Sequence, residues 1–595
     1  MMARRKECVD DADDDGNMEI VGAADIRGAG QDLTPPLSPL SYSLHHAFLA
    51  SHCSSCFSSL PPHPHHPFPH LYYCSSRCSS FHYPLYLSSA SQHLSSPVSS
   101  DLSLALLLLH QINSSSSFSN YHRVCGLLTN RHKLLLLHHD DLSTRIQNGA
   151  REMAAAISLR DHCTLDSSKD YLLEEAVLCL VITNAVEVQD RIGQSVGIAL
   201  YNIPFSWINH SCSPNACYRF LPPNHTAGVQ QCLIMPASSS DAVKGRLEEI
   251  CGGPRLVVRS IKAIKKGEQV TIAYTDLLQP KDSRQSELWS KYRFACGCHR
   301  CVAVPLTFVD LRLQESFVSN GRMLECVGLE KVTEYIDDAI DDYLSSSDAE
   351  SCCKKLEDVL LNGFHYEQVI IRLHPQNRLS LNAYTTLASA YKVHAIAMED
   401  DDDDDDDDDA LKMIRFSSAY SFLLALSTHI LFLNESSLIT SVSNYWIGAG
   451  DSLLNLAASL VVSLDIPKSC SKCCSKCGLI DMFEAKSLDP DKVVEISREF
   501  LDCISDVTPK VWNFLVHGNG FLETVKDPSN LGWFETINSV ANNKGNVKAL
   551  MKDQERVELF WLGFHCLLYG GILSNISSGH NSYLSHSVQH LLYDR

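Results

Sequence analysis

Trp207–Ala216 reads WINHSCSPNA, an Asn-His pair followed by a cysteine and a Ser-Pro-Asn turn within ten positions. Further along, Tyr292–Cys301 reads YRFACGCHRC and supplies Cys296, Cys298 and Cys301 in C-x-C-x-x-C spacing. Zinc takes four soft ligands in a tetrahedron, and tight turns are the usual way of bringing thiolates together. The downstream group is one ligand short, and Cys212 can supply it. On spacing alone, a set of reduced loop cysteines fits these residues as well.

The surrounding sequence places this stretch among short strands. Pro254–Asp276, PRLVVRSIKAIKKGEQVTIAYTD, reads as strand, Lys-Lys-Gly-Glu turn and strand, with Tyr274 at the end of the second strand. Residues 221–254 are rich in Ser, Gly and Pro and read as an inserted surface loop. Upstream, residues 143–186 carry apolar positions at three- and four-residue intervals, the helical period. Residues 18–50 alternate short apolar pieces with Gly and Pro, as short strands joined by turns do. Between 51 and 121 the composition shifts to Ser, His, Pro and Cys, much of which is unsuited to a core. Beyond Cys301 the periodicity is helical to the end. In Arg372–Met398, Leu387, Ala390 and Tyr391 share one face, as in antiparallel helix pairs, although no clean repeat register emerges. The Asp400–Asp409 run repels itself and is expected to form a solvated, disordered break over 399–409.

Composition narrows the function. The chain has 595 residues and a formal charge of −21, and without the ten aspartates of that run it is still −11. Such a surface repels phosphate backbones and attracts a basic peptide. The first residues, MMARRKECVDDADDDG, lack the apolar stretch of a secretory signal. LSLALLLLHQ from Leu102 is far shorter than the roughly 20 residues that cross a bilayer. An intracellular protein is expected, in the nucleus, the cytoplasm or both, with no membrane partner. In that reducing setting, clusters drawn from the 24 cysteines favour zinc over disulfides.

Taken together, NHSCSPN (209–215), GEQVTIAYTD (267–276) and YRFACGCHRC (292–301), in that order, resemble the SET domain of lysine methyltransferases, in particular its SET-and-MYND branch. GLLTNRHKLL (126–135), ITNAVEVQ (182–189) and VGIALYNIPFSWINHSC (196–212) are similar to the family's segments ahead of the active site. The resemblance implies an α+β protein. Its β-rich SET domain would be split by a Cys/Ser/His-rich insert, carry a zinc-bound post-SET segment and precede an all-α tetratricopeptide-like domain. The implied bounds are 1–17 disordered, 18–50 first SET strands, 51–121 a degenerate MYND-like insert, 122–278 SET core, 279–303 post-SET and 304–595 helical.

The resemblance also implies S-adenosylmethionine as cofactor and a lysine in a histone or other basic protein as substrate. Tyr274 would be the catalytic tyrosine, while Asn184, Asn209, His210 and Phe294 would line the cofactor pocket. Cys212, Cys296, Cys298 and Cys301 would hold a structural zinc. Cys53, Cys56, Cys74 and Cys78 match one zinc quartet of a MYND finger, and the second, interleaved quartet has no counterpart. Cys470, Cys473, Cys474 and Cys477, in CSKCCSKC, offer a further cramped set. The family's G-x-G element is not evident, because Gly28-Ala29-Gly30 stands where a later turn glycine is expected. Two functions therefore fit: a protein-lysine N-methyltransferase, or a catalytically weak SET-fold scaffold that binds a protein partner through its helices.

Overall fold

The structure, a computed structural model, describes residues 19–68, 71–95, 97–112, 121–136, 140–163, 170–190, 193–222, 231–237, 252–318, 326–399, 406–460, 478–484, 492–530, 553–580 and 582–593. The chain divides into two compact units. One comprises residues up to Tyr274, apart from Gly28–Gly30, together with Leu288–Ala295; the other comprises the remainder.

The first unit is built from short sheets around one apolar core. Pro39–Leu44, Ser195–Tyr201 and Val186–Gln189 form an antiparallel sheet in that order. Helix Ser100–Gln111 packs against its Pro39–Leu44 strand and against helix Leu172–Asn184. Residues 102–108 of the helix are all buried, and Ser41 Oγ donates to the Leu104 carbonyl at 3.1 Å. Part of the 51–121 segment is therefore core, contrary to its expected character. A run of leucines too short for a bilayer is long enough for three turns of buried helix, and the Ser- and His-rich flanks obscured it. Each leucine buried there contributes about 1.5–3 kcal/mol.

The strand-turn-strand expected over 254–276 forms, but its strands do not pair with each other. Leu256–Ser260 pairs antiparallel with Ala216–Phe220, and Thr271–Ile272 pairs parallel with Asn209–His210. The reason lies in the N-terminal residues. The turn closes through Glu268 N–H to the Lys265 carbonyl at 3.0 Å, but Ile264 N–H and Val270 N–H donate to the Ile26 and Ile20 carbonyls. Strand Ile20–Gly22 pairs in turn with Ile234–Pro236, so part of the presumed 221–254 loop is strand. Buried Asn215 fixes the junction. Its side-chain oxygen accepts from Thr271 N–H and its amide donates to the Gln269 carbonyl, each at 2.9 Å.

The second unit is mainly helical. Helices Arg378–Glu399, Asp406–Asn434, Ile439–Ser459 and Asp553–Ser577 pack successively on one another. The last two approach backbone to backbone: a Cβ on Gly450 would stand 2.6 Å from Leu567 N, and one on Gly570 2.7 Å from Ile447 N. Only glycine allows that contact. Two helices, Asp408–Asn434 and Glu555–Ser577, are long and apolar enough to cross a membrane. However, 83% and 89% of their most apolar windows are buried inside the protein, which is how core helices behave.

Two expectations for this region need correction. It is not wholly helical, because Ser316–Val318, Val369–Leu373 and Phe364–Tyr366 form a three-stranded antiparallel sheet. Their three- to five-residue lengths leave too little periodicity to separate them from helix. The aspartate run also does not break the fold throughout 399–409, since Glu399 ends one helix and Asp406 begins the next. Asp408 and Asp409 lie in the first turn of that helix, where the macrodipole favours negative charge. Asp400–Asp405 and the Cys470–Cys477 cluster lie outside the described residues.

The core role of helix Ser100–Gln111 makes a testable distinction. Leu104→Ala should cost about 2–5 kcal/mol and reduce hydrogen-exchange protection of the Leu40–Leu44 amides. Leu136→Ala, at a position 69% exposed, should leave that protection unchanged. Equal protection in both variants would show that the helix is not part of the core.

Candidate active site and metal-ligand clusters

His210 organises the site. Its Nδ1 accepts the backbone N–H of Tyr274 at 3.0 Å, and its Nε2 lies 3.2 Å from Cys212 Sγ. A ring nitrogen that accepts carries no proton, so the proton of the neutral imidazole is on Nε2, directed at the sulfur. The parallel pairing of Asn209–His210 with Thr271–Ile272 brings these residues together, supported by Ser211 N–H to the Ile272 carbonyl at 3.0 Å.

Tyr274 lies just past that strand. Its hydroxyl donates to the Ile208 carbonyl at 2.5 Å, and its ring packs on His210 at 5.4 Å and on Tyr292 at 5.1 Å between centroids. Burial pushes its phenol pKa well up, and the neighbouring Tyr292 and Tyr218 phenols push it further. Tyr274 is therefore a neutral hydroxyl at physiological pH. It can orient a partner by hydrogen bonding but cannot serve as a phenolate base.

Phe294 closes the other side, 6.1 Å from His210 and 6.2 Å from Tyr292. Helix Lys281–Tyr292 ends just before it with Arg293 at φ 58°, whose N–H returns to the Trp289 carbonyl at 3.1 Å. This left-handed helix stop is unusual for a residue other than glycine, and an ion pair from Arg293 to Asp140 accompanies it. Tyr292 and Phe294 both reach the His210–Tyr274 group. Sequence reading singled out Phe294 and missed Tyr292, two positions earlier in the same YRF. It likewise missed Asn215, although that residue stands in the quoted NHSCSPN.

The other expected pocket residues are placed differently. Asn209 has an exposed side chain. Asn184 ends helix Leu172–Asn184 and donates to the Leu128 and Leu180 carbonyls at 2.9 Å each. Both amide hydrogens are thereby used, which leaves its side-chain oxygen as an acceptor. Its hydrogen bonds run to those carbonyls and not to the aromatic group.

Both cysteine quartets assemble. The sulfurs of Cys212, Cys296, Cys298 and Cys301 all lie within 4.8 Å of one another, and so do those of Cys53, Cys56, Cys74 and Cys78. Four thiols this close suit a tetrahedral zinc, which needs thiolates converging from tight turns. The second quartet sits on a small apolar cluster of Leu71 and Tyr73, beside hairpin His65–Phe68/Leu71–Tyr73. Helix Ser76–Ser88, capped by Ser75 Oγ accepting from Cys78 N–H at 3.2 Å, brings in Cys78. Hydrogen bonds from Cys53 and Cys78 pull the Cys56 thiol pKa down, while Cys53 is pushed up by those it shares with Cys56 and Cys78 and by burial.

The SET domain family matches residues 166–275. The Arabidopsis thaliana protein named Protein SET DOMAIN GROUP 41 is 39% identical over 593 residues, covering 95% of this chain and 99% of that protein. The chain belongs to the SET domain family. Two SET-and-MYND relatives match over shorter stretches. Histone-lysine N-methyltransferase SMYD3 of Homo sapiens is 30% identical over 121 residues, 20% of this chain and 21% of that protein. N-lysine methyltransferase SMYD2-B of Danio rerio is 24% identical over 173 residues, 29% of this chain and 32% of that protein. The SET match includes Asn184, Asn209, His210, Cys212 and Tyr274 and ends before Phe294 and Cys296.

If each of these two quartets holds one zinc, the full chain carrying Cys473→Ser and Cys474→Ser should contain two equivalents by elemental analysis, and adding Cys212→Ser or Cys74→Ser should lose close to one. Unchanged zinc in Cys212→Ser would remove Cys212 from the site.

Proposed function

We propose that this protein is an S-adenosylmethionine-dependent protein-lysine N-methyltransferase. The observation that carries the proposal is the His210–Tyr274–Tyr292–Phe294 group in a SET domain, with Tyr274 held at its backbone by His210 and at its hydroxyl by Ile208. The residues suit the cofactor chemically: aromatic faces for an adenine and a sulfonium, and Asn209 and Asn184 oxygens for polar groups. When bound, S-adenosylmethionine supplies an electrophilic methyl group.

The remaining tasks fall to the chain. A lysine amine has an ordinary pKa of about 10.4 and must be neutral to act as a nucleophile. Enclosure away from water disfavours the ammonium, and a neighbouring positive charge disfavours it further. Tyr274, itself neutral, orients the amine through its oxygen, and alignment of reacting atoms can account for much of the acceleration. Zinc at Cys212, Cys296, Cys298 and Cys301 would be structural and take no part in the transfer.

The substrate class is a lysine in a histone or another basic protein, in keeping with the acidic chain. The helical unit is a candidate surface for a protein partner, and the cysteine content favours the nucleus, the cytoplasm or both. One observation favours the scaffold alternative. Residues 1–27 contain no G-x-G, and Gly30, at φ 89°, has the conformation of a turn glycine. Calorimetric titration with S-adenosylhomocysteine separates the two functions, since saturable binding supports the enzyme and its absence supports the scaffold.

Tyr274→Phe removes one hydroxyl and keeps the ring. Methyl transfer should fall by about 10²-fold or more, with cofactor binding little changed. Asn209→Ala should instead weaken cofactor binding. Wild-type transfer by Tyr274→Phe on a lysine substrate would show that Tyr274 has been assigned wrongly.

A further inference from the structure

Arg284, Arg300 and Asp310 are fully buried, each at 0% exposure. Arg284 Nη1 donates to Asp310 Oδ1 at 2.7 Å and to the Gln279 carbonyl at 2.5 Å, and Nη2 lies 4.0 Å from Cys301 Sγ. Arg300 donates from Nε to Asp310 Oδ2 and from Nη2 to Asp310 Oδ1 and the Leu277 carbonyl, each at 3.0 Å. Thr307 Oγ1 adds a hydrogen bond to Asp310 Oδ2 at 3.0 Å. Two guanidiniums thus flank one carboxylate out of contact with water. A buried charge requires compensation nearby. Four thiolates around one divalent cation carry an excess of two negative charges, and Cys301 is one of those sulfurs.

We infer that Arg284 is a positioning residue of the Cys212–Cys296–Cys298–Cys301 centre, its guanidinium held by Asp310 and directing an N–H at the Cys301 sulfur to offset thiolate charge. The inference rests on zinc occupying that quartet. The arrangement is that of a second ligand shell, where groups behind the ligands fix their orientation and tune their charge. Arg300 holds the far side of Asp310 and so keeps Arg284 in place. The adjacent Gln285 does the corresponding work on the backbone. Its Nε2 donates to the Cys296 carbonyl at 2.8 Å, and its Oε1 accepts Cys296 N–H at 2.9 Å. Successive residues of helix Lys281–Tyr292 therefore serve the two ends of the C-x-C-x-x-C loop, one through charge and one through main-chain hydrogen bonds.

The test uses the full chain carrying Cys56→Ser, Cys74→Ser, Cys473→Ser and Cys474→Ser, so that the other cysteine clusters do not bind, and measures zinc affinity by competition with a chelator of known strength. In that background Arg284→Met, which keeps the stem and loses the charge, should bind zinc about 10- to 100-fold more weakly. Arg284→Lys keeps the charge but has one nitrogen for three partners, so it should lose less. In both variants the thiolate-to-metal charge-transfer band of the cobalt(II)-substituted protein should shift, because an N–H donor to sulfur has been removed or moved. If Arg284→Met does not fold, the cobalt band and affinity of Arg284→Lys decide the matter, and an unshifted band with unchanged affinity overturns the inference. Equal affinity of that background with and without Arg284→Met overturns it as well. If the background protein itself binds no zinc, the metal centre falls and the inference falls with it.

Discussion

The imidazole of His210 links two parts of the protein that sequence alone keeps apart. One nitrogen accepts the backbone N–H of Tyr274 and the other points at the sulfur of Cys212. A histidine offers one donor and one acceptor only while neutral, so both bonds hold together in a single tautomer. Protonation would remove the acceptor at Nδ1 and release the Tyr274 backbone. A thiolate at Cys212 favours the proton on Nε2, which is the tautomer that Tyr274 requires. The chemistry at the sulfur and the position of the tyrosine are therefore coupled through one ring.

This coupling explains why the strand pairing matters more than its size suggests. Asn209–His210 and Thr271–Ile272 pair through only two residues each, too few to persist alone. Asn215 supports them from one side with hydrogen bonds to Gln269 and Thr271, and Ile20 supports them from the other by accepting from Val270. Each support comes from a different part of the sequence. The site is thus a product of tertiary contacts, and its local propensities are weak.

That origin also determines what could be read in advance. The helices over 143–186 were legible because their apolar residues recur at the helical period across three or more turns. Cys212 could be joined to Cys296, Cys298 and Cys301 because that group is one zinc ligand short and the resemblance to SET domains implies the fourth. Tyr292 was not legible, since an aromatic at a helix end has no signature until the left-handed turn at Arg293 brings it beside Tyr274. The buried helix at Ser100–Gln111 was obscured by the composition around it, and the partner of Thr271–Ile272 by a turn that looks like a complete hairpin. In each case the missing information was a long-range hydrogen bond or packing contact.

The cysteine quartet has two physical routes to Tyr274. One runs from Cys212 through His210 to the Tyr274 backbone. The other runs along the chain, since Phe294 stands two residues before Cys296 and packs on His210. A metal at the quartet would restrain both ends, fixing the ring that orients Tyr274 and the aromatic that faces it. Neither restraint requires the metal to touch a substrate. A structural metal can in this way govern a reaction through position alone, which suits a site where burial keeps Tyr274 neutral and leaves orientation as its available contribution.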